Sequence, residues 1–337
     1  MAKKIKKKKS KLFLLLPILA IFVLLTALYD IYFPKDISGK PKTISIRRGL
    51  SAKEIANLLK NEGIIRNKYI FSSLIILKNK EKDIKAGDYE ISPSLNMIDI
   101  LSILTKGNKI KSCFTIPPGY NIYQIADMLY EKGFIDKKRF FNLCFDREFI
   151  LKLGFSVNTL EGLLFPDTYC VSKGMKEEKI IGIIIERFKK VFKESDVRIA
   201  KKMGFSIYQI LILASIIEKE TSYYKEMPII SAIFHNRLRR NMRLNSCPTV
   251  IYSLFPNFDG NLKKEDLEIS SPYNTYRHND LPPSPISNPS ISAIKAALNP
   301  ASTDYLYFVS MNNGRHKFSK TLAEHNIAVS KYQPKIK

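Results

Sequence analysis

The sequence predicts an α+β protein held behind an apolar N-terminal segment. Three observations predict it: an uncharged run close to the N-terminus, a strand–turn–helix unit that occurs twice, and one helix that is apolar on nearly every face. With 337 residues, 45% of them hydrophobic and 26% charged, the chain has the composition of packed globular structure and room for more than one domain.

The first eleven residues, MAKKIKKKKSK, contain seven lysines, and residues 12–29 follow without a charge. An apolar stretch of about 18 residues or more can span a bilayer as a helix. A transmembrane helix is therefore expected over 12–33, with the basic tail 1–11 in the cytoplasm and the rest of the chain outside it. The far flank, Pro34–Lys42, carries three lysines and weakens the charge bias. No small-x-small pair follows the run cleanly, which favours an uncleaved anchor over a signal peptide.

Beyond the anchor, ISIRRGLSAKEIANLLKNEGIIRNKYIF from Ile44 recurs as IPPGYNIYQIADMLYEKGFIDKKRFF from Ile116. Ile46, Gly49, Ile55, Ala56, Leu59, Gly63, Ile65 and Phe71 match Ile116, Gly119, Ile125, Ala126, Leu129, Gly133, Ile135 and Phe141, a spacing of 70 residues. Each copy reads as strand, glycine turn, amphipathic helix and glycine stop. The expected organisation is a small α+β module over 34–110, a repeat-related subdomain over 111–157, a larger α+β domain over 158–330 and a tail over 331–337. Two small units ahead of a larger one suggest binding or positioning, with chemistry downstream.

In the larger domain, Ser206 and Gln209 form a capping-box pattern, so a helix is expected from Ile207 to about Thr221. Its middle, ILILASII, is apolar all round and reads as buried. Glu218, Lys219 and Glu220 close it. A carboxylate there sits at the negative end of the helix dipole beside a buried segment, and both effects disfavour its ionised form. That is the setting of a general acid, although the same pattern also fits the solvated end of a core helix. Periodicity leaves Glu218 and Glu220 both open, because they fall on roughly opposite sides of the wheel. A second helix is expected from Pro228. The stretch SPYNTYRHNDLPPSPISNP, with five prolines, is neither a regular helix nor a central strand. A helix over SISAIKAALN and a strand over DYLYFVS follow.

Charge and motifs narrow the function classes. Without the seven N-terminal lysines, 48 basic residues face 31 acidic ones. An exported basic protein suits a membrane surface or an acidic wall polymer; no nucleic-acid partner is expected, since the basic residues are scattered and lack an arginine–aromatic pattern. Cys113, Cys144, Cys170 and Cys247 form no C-x-x-C pair, which argues against structural zinc. They read as buried and inert, with one or two disulfides open to them but no pairing legible. His235, His278, His316 and His325 lack H-E-x-x-H spacing, and G-x-S-x-G, Walker A and G-x-G-x-x-G elements are absent. No metal or organic cofactor is expected.

EGLLFPDTY, LASIIEKET, HNRLRRNMRL, PTVIY, SPYNTY, LPPSPISNP, KAALNPASTDYLYFV and TLAEHN stand in this order behind the anchor. Together they closely resemble the endolytic murein transglycosylase, or YceG-like, family, and the first repeat copy with its continuation resembles a LysM-like module. The resemblance implies a lyase that cuts peptidoglycan glycan strands between N-acetylmuramic acid and N-acetylglucosamine, leaving 1,6-anhydro ends. It implies a single-pass protein of the bacterial plasma membrane, with its catalytic domain outside and a peptidoglycan synthase as a further partner. In the family the first Glu of EKET is the acid, here Glu218. A hydrolase would need a second carboxylate; Glu161, Asp167 and Glu220 are the candidates, each with a plain structural reading. Asn236, Arg237 and Arg240 are candidate contacts to the sugar acetamido or lactyl groups. Tyr273, Asn274 and Tyr276 are candidate saccharide contacts in a chain without tryptophan. Thr249 and Tyr252 stand in a matching segment and also suit packing. The family commonly has aspartate before P-T-V, where this chain has Cys247.

Overall fold

The structure, a computed structural model, describes residues 17, 19–47, 49–107, 111–172 and 174–333. The basic tail and the first part of the expected membrane span lie outside the described residues. An apolar helix α1 (Leu19–Tyr32) covers the rest of the span; among the described residues no single helix is long and apolar enough to cross a membrane. The chain is mixed helix and sheet, and it divides into two compact units.

The first unit comprises the described residues up to Ser112 with Val171–Gly174. Strand β1 (Lys42–Ile46) pairs antiparallel with β2 (Gly87–Ile91), Ile44 opposite Tyr89. The period-two alternation puts Ile44, Ile46, Tyr89 and Ile91 on one face, all buried. Helices α2 (Ala52–Asn61), α3 (Lys68–Leu77) and α4 (Met97–Lys106) cover that face with Ile55, Leu59, Phe71, Ile75, Ile100 and Leu104.

The second unit comprises Cys113–Cys170 and Met175–Lys337. Strands β3 (Lys111–Thr115) and β4 (Thr168–Ser172) pair, and a disulfide joins Cys113 to Cys170. The pairing was not legible from spacing because it depends on which strands become neighbours. Helices α5 (Ile122–Glu131), α6 (Lys137–Phe145), α7 (Arg147–Lys152) and α8 (Glu177–Val191) flank these strands in sequence. Then come α9 (Glu194–Lys202), α10 (Ile207–Glu220), α11 (Met227–Arg239), α12 (Cys247–Ser253), α13 (Ile291–Leu298), β5 (Tyr307–Ser310), β6 (His316–Ser319) and α14 (Leu322–Tyr332). Strands β5 and β6 form an antiparallel hairpin.

Helix α10 is the axis of this unit. Ser206 accepts from the Gln209 amide at 3.2 Å while the Gln209 side chain accepts from the Ser206 amide at 2.8 Å, the expected capping box. Every residue from Ile210 to Ile217 is buried, packed among α9, α11, α12 and α13. Ser215, small and hydroxylated, lets the proline-rich loop lie along the helix: its Oγ accepts from the Ile286 amide at 3.0 Å, and Ser287 Oγ donates to its carbonyl at 3.2 Å. At Gly162, with φ of +83°, a Cβ would stand 2.5 Å from Pro285, so this glycine is what admits the loop.

The repeat is structural as well as sequential. Ser51 with Glu54 and Asn121 with Gln124 are both full capping boxes, 70 residues apart, and Gly63 and Gly133 end the two helices with φ of +75° and +71°. One expected match shifts. Phe71 is wholly buried in α3, and its counterpart in α6 is the equally buried Phe140, not Phe141. The caps show why: Asn67 opens α3 whereas Asp136 opens α6, one residue early, so the second turn is a residue shorter.

Candidate active site

Glu218 is the first residue of α10 beyond the buried run, and it is half-buried. Ser290, the N-cap of α13, meets it: the Ser290 amide donates to Glu218 Oε2 at 2.9 Å and its hydroxyl donates to the same oxygen at 2.5 Å. That hydroxyl also accepts from the Ala293 amide at 3.2 Å, so one side chain both caps α13 and holds the carboxylate. Among the described residues Glu218 Oε1 receives no hydrogen bond. The carboxylate is thus held through one oxygen only among the described residues.

The second repeat copy supplies the next piece. The Lys219 ammonium donates to the Gly119 carbonyl at 3.3 Å, and the Gly119 amide donates to the Asn288 carbonyl at 2.9 Å. Gly119 has φ of +77°, and a Cβ there would lie 3.5 Å from Glu218 Cγ. Desolvation pulls the Lys219 pKa below its ordinary value against the opposing charge of Glu218.

Behind this turn lies a buried junction. Asn288, fully buried, donates through Nδ2 to the Tyr120 carbonyl at 3.0 Å and to Glu161 Oε1 at 2.9 Å, and its Oδ1 accepts from the Leu164 amide at 2.7 Å. Glu161, also fully buried, takes the Ile122 amide at the start of α5 at 3.0 Å and the Tyr252 hydroxyl at 3.1 Å on Oε2. Burial raises its pKa to about 8 despite these donors. Tyr252 packs on Tyr273 with ring centroids 4.9 Å apart, and the Tyr273 hydroxyl bonds Ser284 at 2.7 Å.

Glu220 serves a separate network. It is half-buried and accepts from Ser246 Oγ at 2.5 Å. Burial raises its pKa, opposed by Ser246, His316 and Arg237. Thr249 and Thr275, hydroxyls 2.9 Å apart, hold the Ser246 backbone in place, and Cys247 Sγ lies 3.0 Å from the Tyr276 hydroxyl. Asp167 pairs with Arg187 at 2.5 Å; burial is outweighed by the Thr168 amide and Arg187, and its pKa is lowered.

The α11 candidates face the protein. Arg237 donates to the Leu306 carbonyl at 2.7 Å and to those of Arg243 and Leu244 at 3.1 and 2.9 Å; Asn236 donates to Thr303 and Tyr305 carbonyls at 2.8 and 3.0 Å. Arg240, just past α11, is exposed. Asn274 Nδ2 is taken by the Leu267 and Ile269 carbonyls, each at 2.9 Å. The structure therefore brings Tyr252 and Tyr273 to the Glu161–Asn288 junction, sets Glu218 on Ser290 two residues beyond Asn288, and gathers Thr249 and Tyr276 around Glu220. Ser290, Asn288 and Gly119 were not singled out from sequence for this site. Ser290 had a signal, a serine directly before an apolar-periodic helix, but nothing local aims its hydroxyl at a carboxylate. A broad cleft of about 780 Å³ between β4 and α8 is lined by Asp167 and Arg187 and does not include Glu218.

Comparison with known proteins adds four findings. The YceG-like family profile matches residues 44–331. A Bacillus subtilis protein named endolytic murein transglycosylase is 34% identical, over 86% of this chain and 84% of its own length. A Streptococcus pneumoniae protein of the same name is 28% identical over 90% of this chain, which spans 60% of that longer protein. A crystal structure of a yceG-like protein from Listeria monocytogenes shares 34% identity and superposes with a TM-score of 0.59, covering 86% of this chain and all of the other.

Proposed function

The chain belongs to the YceG-like family, and we propose that it is an endolytic murein transglycosylase that cuts peptidoglycan glycan strands by lyase chemistry, with Glu218 as its acid and base. The observation that carries this reading is the asymmetric setting of Glu218: Ser290 holds Oε2, and among the described residues nothing bonds Oε1. The proton on Glu218 passes to the glycosidic oxygen as the bond from C1 of N-acetylmuramic acid breaks. The carboxylate then takes the proton of the same sugar's C6 hydroxyl as O6 closes onto C1, giving a 1,6-anhydro end with no water consumed. One carboxylate completes the cycle. The other candidates are committed elsewhere: Glu161 is enclosed, Glu220 is bound to Ser246 and Asp167 to Arg187.

In this reading Tyr273 and Tyr252 border the substrate, while Asn236, Arg237, Asn274 and Thr249 shape the walls through backbone contacts. Arg240 and Tyr276 remain candidate contacts to the sugar substituents. The module 34–110 serves as a LysM-like glycan-binding region, and residues 12–33 anchor the chain in the plasma membrane with the domains outside. The Cys113–Cys170 disulfide supports an oxidising, extracytoplasmic setting. An anchored enzyme cuts strands near the synthase that makes them, which suits termination of strand elongation.

The test is mass spectrometry of uncrosslinked glycan strands incubated with the full-length chain, wild type beside Glu218→Gln. Anhydro-ended fragments from wild type, reduced at least about a hundredfold in the variant, are expected. Ordinary reducing ends would instead assign a lysozyme-type hydrolase, and retained binding with intact strands a non-catalytic wall-binding scaffold.

A further inference from the structure

The outer face of α5 breaks the repeat in one respect. Lys53 and Lys60 of α2 are exposed, whereas the positions 70 residues on carry Tyr123 and Tyr130. The repeat fold does not require aromatic rings there, since the first copy folds with solvated lysines. Tyr130 is nonetheless 56% exposed. Tyr123 lies 5.1 Å from Phe141 and stacks on Phe255 at 5.6 Å, ring centroid to centroid. These rings and Pro256 line a groove of about 620 Å³ whose rim carries Asp127, Lys138 and Asn142.

The wall of the groove is tied to the framework that holds Glu218 by a chain of buried contacts. Tyr123 adjoins Ile122, whose amide is held by Glu161, and burial together with the Glu161 charge raises the Tyr123 pKa. Tyr252 bonds the same Glu161 and packs on Tyr273. Glu161 binds Asn288, two residues before the Ser290 that holds Glu218. A polymer cut in its interior must continue across the protein on both sides of the scissile bond, and sugar rings present apolar C–H faces edged by hydroxyls. Aromatic platforms with a sparse polar rim are complementary to that pattern.

We propose that this groove is a glycan subsite, in which a sugar of the strand beyond the cut stacks on Tyr130 and Phe141 while its hydroxyl and acetamido groups meet Asp127 and Asn142. The inference rests on the glycan-cleaving reading above. It is tested with the full-length chain carrying Tyr130→Lys, the residue type of the first copy, and separately Phe141→Ala, on long uncrosslinked strands and on tetrasaccharide fragments. Each variant is expected to raise KM for long strands roughly threefold to tenfold, the scale of one aromatic contact, with kcat and fragment cleavage unchanged. An unchanged KM for long strands in folded Tyr130→Lys, its thermal midpoint equal to wild type, overturns the subsite alone. Failure of wild type to cut either substrate overturns the subsite and the enzymatic reading together.

Discussion

The two copies of the strand–turn–helix unit share a backbone plan and differ in what surrounds it. In the first, a Cβ on Gly49 would meet nothing within 4 Å, and no described hydrogen bond ties Gly49 or Leu50 to another segment. In the second, the Gly119–Tyr120 turn is held by Asn288 from two directions, receives the Lys219 ammonium, and would set a Cβ on Gly119 3.5 Å from Glu218 Cγ. The helix starts differ likewise: the Ile122 amide ends on a buried carboxylate. A local fold that is stable by itself can thus become one wall of a site through a few long-range polar contacts, without any change in its caps or glycine stops.

The largest effect should come from removing the contact that the first copy lacks. Asn288→Ala leaves the Leu164 amide and part of Glu161 without partners in a buried place, while the Tyr120 carbonyl keeps the backbone amide of residue 288, and a loss of about 3 kcal/mol is expected in denaturant unfolding. A variant as stable as wild type would mean that the junction is not what holds the turn.

Glu161 sharpens the comparison through pH. Its folded pKa, about 8, lies above the ordinary 4.5, so the protonated form is favoured in the folded state. The contribution is complete below the unfolded pKa and is lost as pH rises toward and through 8, at up to about 1.4 kcal/mol per pH unit. Stability measured from pH 4.5 to 8.5 should decline with this slope in wild type, and Glu161→Gln should flatten it. An identical slope in both would assign the pH dependence to another group.

The smallest effect separates the copies most directly. Gly49→Ala and Gly119→Ala both place an L-residue at positive φ, at a cost of about 1 kcal/mol each. Turnover of glycan strands should fall about tenfold in Gly119→Ala only, because that turn borders Glu218. Equal turnover in the two variants would disconnect the second copy from the reaction.

Local order was legible in the sequence where the cause is local. Ser206 and Gln209 marked the start of α10, Pro228 fitted the start of α11, and the repeat announced two matching helices with their glycine stops. Glu218 was singled out from the sequence and its surroundings were not, because Asn288 and Glu161 act on residues scattered from 120 to 252 and no spacing records that. Arg237 was read as a candidate contact to the sugar, yet Ile230, Ile233, Phe234 and Arg237 fall at i, i+3, i+4 and i+7, one inward stripe of α11. That periodicity was available; the charge of the side chain obscured it.

The Cys113–Cys170 bond closes a covalent ring 57 residues around, and the ring contains α5, α6, α7 and Glu161. A protease that nicks an exposed connection inside it, such as the turn at the 40%-exposed Phe145, releases no fragment. The two pieces stay on one molecule and part only on reduction. The portion of the chain bordering Glu218 therefore stays tethered to its partner segments even after its backbone is cut.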